Sequence, residues 1–79
     1  MIKHLFSVRD DISEVYNDPI FEANESFAKR RFQIMMRTLP EGVFPGEFSL
    51  WHVGLFDDHS GLIEKSEPTM IMRGVSDGE

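Results

Sequence analysis

The sequence predicts a small α+β domain, a mostly antiparallel β-sheet with one main α-helix packed across it, in the order β-β-α-β-β with a short C-terminal segment. Three observations carry that expectation. Apolar and polar residues alternate from Ile2 to Arg9, a stretch without Gly or Pro runs from Asn24 to Leu39, and large apolar and aromatic residues crowd Phe48 to Phe56.

In the first strand Ile2, His4, Phe6 and Val8 share one face and Lys3, Leu5, Ser7 and Arg9 the other, because successive side chains of an extended chain point to opposite sides. Asp10-Asp11 suits a turn. Glu14 to Phe21 reads as an edge strand, since Pro19 has no N–H to give to a ladder. The helix starts at Asn24, whose side chain can accept the free amides of a first turn, with Glu25 placed well against the positive end of the helix dipole. Leu39-Pro40 ends it, because the residue before proline is pushed out of the helical region. Ala28, Phe32, Met35 and Leu39 recur at the spacing of a buried stripe.

Phe48 to Phe56 puts large side chains on both faces, which predicts a central strand covered on each side. Asp57 to Gly61 is a polar hairpin loop and Leu62 to Lys65 its return strand. Pro68 to Met72 is apolar but too short to type: a strand, a helical turn or a docking segment for a second copy all fit.

At 79 residues the chain reads as one domain over 1–74 with a loose tail at 75–79. A domain of that size hides only about 60% of the surface its unfolded chain exposes. Without cysteine there is neither a disulfide nor a thiolate zinc site to staple it, so dense packing or self-association must do so, and a homodimer is the expectation. No apolar run is long enough for a signal sequence or a membrane span, so we expect a cytosolic protein with no membrane partner. Fourteen acidic against eight basic side chains give a net charge of -6, which argues against whole-surface binding to nucleic acid; any such contact must be local.

The helix offers one local candidate. Ser26, Lys29, Arg30, Gln33 and Arg37 fall within roughly 100° of arc, with Arg31 at the margin, so the exposed face gathers cations in an acidic protein. Two readings stay open. The face is either simply solvated, its charges offset by an acidic neighbour from a loop, or it contacts an anion. Three or four phosphate contacts to a single strand would give a salt slope of about -2 to -3. Bases also stack on aromatic rings, and Phe6, Tyr16, Phe21, Trp51 and Phe56 are candidates, whereas Phe27, Phe32, Phe44 and Phe48 are expected in the core. Tyr16 and Trp51 lead, because each carries a polar atom that prefers a wet boundary.

Other chemistry is poorly served. His59 with Asp57 and Asp58 has no second ligand cluster at a recognisable spacing, and His4 and His52, which could face one another across the sheet, read as structural histidines. There is no phosphate-cradling glycine loop and no nucleophile with an assignable base. We therefore expect no catalytic residue, no metal and no cofactor.

Three stretches of sequence add a resemblance. Phe6-Ser7-Val8-Arg9-Asp10, then Pro19-Ile20-Phe21 ahead of a helix containing Ala28 and Phe32, then Leu50-Trp51-His52-Val53-Gly54-Leu55-Phe56-Asp57-Asp58 with Gly61, resembles the small nonstructural protein of gokushovirus-type microviruses, bacteriophages of the family Microviridae. The likeness spans about residues 1 to 65 and contains no chemical site. It implies a nonvirion DNA-binding or DNA-synthesis protein in the bacterial host cytoplasm, acting when replication switches from duplex to single-stranded genomes. Joined to the cationic face, it leads to a nonenzymatic single-stranded DNA-binding protein that helps control phage genome replication. Lys29, Arg30 and Arg37 are the expected contacts, assisted by Arg31, Lys3 or Arg9, with Trp51 or Tyr16 stacking. The alternative is a protein-interaction module that recruits viral or host replication proteins, or capsid-assembly proteins, without touching DNA.

Overall fold

The computed structural model describes residues 1–75. Its strands are β1 (Ile2–Asp10), β2 (Val15–Tyr16), β3 (Ile20–Glu22), β4 (Phe48–Asp57) and β5 (Ile63–Arg73), with one helix, α1 (Glu25–Arg37), and a 3-10 turn at Pro45–Glu47. All neighbours are antiparallel, in the order β2-β1-β4-β5, and β3 lies beside β2 on the same edge of β1. The α+β class and the single helix across a sheet follow the sequence reading, while the element order differs in two places.

The stretch read as one edge strand is two, because Asn17-Asp18-Pro19 cannot continue the ladder and the chain leaves and rejoins β1 around it. The helix thus follows a third strand. The Met70-Ile71-Met72 segment is no separate piece but the end of β5, which runs on past Pro68. Pro68 is accommodated by a bulge: His52 faces Thr69 and Gly54 faces Lys65, leaving Ser66, Glu67 and Pro68 opposite Val53 alone. A bulge, a proline and alternating charges are devices that discourage an exposed edge from pairing with other chains.

Asn24 caps α1 as the sequence implies, its Oδ1 accepting from the Phe27 N–H at 3.0 Å. The helix turns Ala28, Phe32 and Met36 onto Phe6, Val8 and Leu50, with Met35, Leu39, Ile71 and Met72 packed at the margin. Burying a side chain the size of Phe32 contributes roughly 1.5 to 3 kcal/mol. Phe27 and Phe44, expected in the core, are 51% and 63% exposed, since a thirteen-residue helix has only one stripe facing the sheet and Phe44 lies in the connection beyond it.

A register irregularity in β4 decides which of its side chains share a face. Leu5 pairs with Gly54 but Phe6 with His52, so Val53 is an extra residue and the alternation of β4 changes phase there. Gly54 is required at that point: a Cβ would stand 2.8 Å from the Glu64 carbonyl oxygen of β5. The β4–β5 hairpin closes on Gly61 at φ +78, with Asp57 Oδ1 accepting from His59 and Ser60 amides, which pulls the Asp57 carboxyl below its ordinary range. The tail expected at 75–79 lies, from residue 76 onward, outside the described residues.

Candidate functional site

The face of the sheet away from α1 is laid out by the odd residues of β1. Arg9 stands beside Tyr16, Ser7 beside Trp51, Leu5 beside Phe21 and Lys3 beside Phe56. Because the partners come alternately from the edge strands and from β4, two aromatic pairs form across β1. Tyr16 and Trp51 meet edge to face with centroids 5.8 Å apart, and Phe21 and Phe56 do so at 5.3 Å. The pairs are separated by about four residues of β1, or roughly 13 Å.

Cations border these rings. The Arg9 guanidinium carbon lies 5.6 Å from the Tyr16 ring centre, a cation–π distance. Lys3 stands at the Phe56 end, within 3.9 Å of Asp58, and from β5 come Lys65, opposite Gly54, and Arg73, opposite Ser49. Tyr16 and Phe21 are 40% and 48% exposed, so ring surface is open to a ligand.

Asp11 organises the Tyr16 end. Its Oδ1 accepts from Arg9 Nη1 at 2.8 Å and from the Ser49 hydroxyl at 2.9 Å, and its Oδ2 from Arg73 Nη1 at 3.4 Å. The Ser49 oxygen in turn accepts from the Trp51 indole N–H at 2.8 Å, which fixes the indole edge. The carboxylate beside it raises the Arg9 guanidinium above its already high ordinary value. Asp11 is itself placed by its backbone N–H, which donates to the Glu47 carbonyl at 2.8 Å, and by the Asp10 side chain, which accepts from the Ile12 and Ser13 amides to tighten the turn.

The other sequence-predicted cations sit across the sheet on α1. Lys29 reaches Glu25 at 3.6 Å one helical turn away, and Arg31 donates to Glu22 of β3 at 2.9 Å, so acids do neighbour this face. Arg30 is exposed and Arg37 lies in the last turn, where a cation offsets the helix dipole. Thus Lys3, Arg9, Tyr16 and Trp51 come together, and Lys29, Arg30, Arg31 and Arg37 form a separate surface. Phe6, one of the stacking candidates, is core. Lys65, Arg73 and Asp11 escaped sequence reasoning; the missing signal was that β5 continues beyond Pro68 and brings Arg73 alongside Ser49.

A second concave feature lies on the helix side, a groove of about 420 Å³ lined by His4, Phe6, Asn24, Glu25, His52, Thr69 and Ile71. His4 Nδ1 and His52 Nε2 are 3.1 Å apart, so one imidazole donates to the other. Burial, and then the neighbouring His4, lower the pKa of His52. Among the described residues no three His, Cys, Asp or Glu side chains gather into a metal-binding group, and no helix is long and apolar enough to cross a membrane.

The far face is a sheet platform that can take flat rings and anions together: exposed aromatic edges and faces for stacking, guanidinium and ammonium groups at the ends of the row for oxygen anions. The chain belongs to a phage protein family: the pattern of the family described as Phage ORF5 protein matches residues 3–76. No curated protein and no solved structure matches it.

Proposed function

We propose that this phage protein is a nonenzymatic single-stranded DNA-binding protein, and that the strand lies on the far face of the sheet with bases on Tyr16, Trp51, Phe21 and Phe56 and phosphates near Lys3, Arg9 and Arg73. The observation that carries the reading is the pair of aromatic contacts on one face with cations at both ends of the row, Lys3 beside Phe56 and Arg9 and Arg73 beside Tyr16. Stacking contributes about 1 to 3 kcal/mol per base without regard to sequence. An acidic chain needs such a confined platform, since its remaining surface repels phosphate. The role that fits is the one the microvirus resemblance implies: control of genome replication in the bacterial host cytoplasm, at the switch from duplex to single-stranded DNA. A homodimer would double the contacts available to one strand.

Fluorescence anisotropy of a labelled single strand of about 30 nucleotides, titrated at low and near-physiological salt, tests this. Saturable binding should weaken with salt. Replacing Lys3, Arg9 and Arg73 by Gln should cut the salt slope by about 2, using roughly 0.7 per phosphate contact, whereas Gln at Lys29, Arg30 and Arg37 should leave it nearly intact. Absent binding at low salt, or undiminished binding by the sheet variant, overturns the reading. Loss confined to the helix variant moves the strand to α1.

A second reading rests on Phe27 and Ile34, which stand seven residues apart on the outer surface of α1 at 51% and 53% exposure, beside Arg30. In it the helix recruits a replication or capsid-assembly protein and DNA is not touched. Retention of such a protein after nuclease treatment, lost on Phe27→Ser with Ile34→Ser, would favour this version.

A further inference from the structure

We propose that Asp11 is an internal stand-in for a phosphate, holding Arg9 and Arg73 until a stacked single strand displaces it, and so makes the far face discriminate single strands from duplex. The inference rests on the DNA reading above and concerns how that site chooses its ligand. Three donors converge on the one carboxylate, from β1 (Arg9), β4 (Ser49) and β5 (Arg73), and its side chain is only 13% exposed. Both Arg partners are the cations that flank the Tyr16–Trp51 pair, so a carboxylate sits where the anion of a stacked nucleotide would have to go. Each guanidinium thus spends part of its charge on Asp11, Arg9 at 2.8 Å and Arg73 at 3.4 Å, which weakens its pull on a ligand that brings charge alone.

A single strand brings two things at once. Its bases can stack on Tyr16 and Trp51, and that added attraction offsets the loss of the Asp11 pairs as phosphates take over Arg9 and Arg73. Bases in a duplex are already stacked on one another and their faces are closed, so a duplex gains no stacking to offset the competition of Asp11 for Arg9 and Arg73. Asp11 lies between two functional elements as a positioning residue: it also orients Trp51 through the Ser49 hydroxyl.

Asp11→Asn separates these roles. Titration of a labelled single strand and the matching duplex over a range of salt should show the single strand bound about two- to fivefold more tightly, the range for release from an ion pair that stays open to solvent on its Arg73 side, with an unchanged slope. The duplex slope should steepen by about 1 to 2 as two guanidiniums become available, so the preference for single strands falls. Adding Arg73→Gln should remove about half of that steepening. Glu64→Gln, an equal change of charge on the opposite face of the sheet, should raise both affinities alike and leave the preference as it was.

An unchanged preference, or a weaker single-strand affinity, in a folded Asp11→Asn chain overturns the inference while leaving the DNA site standing. Wild-type protein that binds no single strand at low salt overturns the site itself. Should Asn disturb the turn, Asp11→Ser keeps an uncharged acceptor for Ser49 and repeats the comparison with the same expected loss of preference.

Discussion

On the helix side of the sheet, Phe6, Val8 and Leu50 close against Ala28, Phe32 and Met36 with almost no surface left to water. On the far side the same β1 strand carries Leu5, Ser7 and Arg9 beneath an aromatic and ionic layer that is half open. The first face is held by apolar contact, which is nondirectional and tolerates exchange of one side chain for another of similar volume. The second is held by directed bonds, with Trp51, Ser49, Asp11, Arg9 and Arg73 in one chain of donors and acceptors. One face therefore sets whether the protein folds, and the other what its surface offers. No buried side-chain nitrogen or oxygen among the described residues lacks a partner, so neither face is left with an unmet polar atom.

Substitutions should divide along that line. Phe32→Ala, in the middle of the helix-side core, should cost about 3 to 5 kcal/mol in urea unfolding, with unchanged DNA affinity per folded molecule. Trp51→Ala should do the reverse, weakening single-strand binding by about 1 to 3 kcal/mol in an anisotropy titration. If Phe32→Ala altered affinity per folded molecule as strongly as Trp51→Ala, the division between the faces would be wrong.

Around pH 6.5 a pH effect is expected from His52 on the helix side. The folded pKa of His52 lies below its ordinary 6.5, so as pH falls the unfolded chain takes up the proton first and the native state loses stability. Stability should be full above pH 6.5 and decline below it, until the folded pKa is passed. Thermal melts of wild type and His52→Gln across that range check this: the variant should show the flatter profile, and equal profiles would place the cause elsewhere. Smallest of all, Glu14 holds φ +61 in the turn after β1, so Glu14→Gly should stabilise by about 0.5 kcal/mol.

Much of the helix side was legible in the sequence. The Asn24 cap, the stop at Leu39-Pro40 and the Ala28–Phe32 stripe are local signals, and local signals survive folding. The far face was legible only in part. Lys3, Arg9, Tyr16 and Trp51 were each candidates, yet nothing in their spacing says that they share a surface, because Tyr16 and Trp51 are joined through β1 by pairings with no local signature. Phe21 and Phe56 depend on the same pairings. The helix cations drew attention for the opposite reason: a 100° repeat exposes clustering on one helix at once, and the acids that neighbour it, such as Glu22, come from another element.

The extra residue at Val53 has a mechanical consequence. In an unbroken strand Trp51 and Phe56 would point to opposite sides of the sheet; the change of phase brings both to the far side, and such an irregularity also sharpens the local twist. The two aromatic pairs are thus two stations on one face of the sheet, which an unbroken β4 would have split between its sides. The single strand proposed above, whose bases turn independently over a few nucleotides, can set one base on each pair across about 13 Å, whereas the bases of a duplex keep their faces closed against one another.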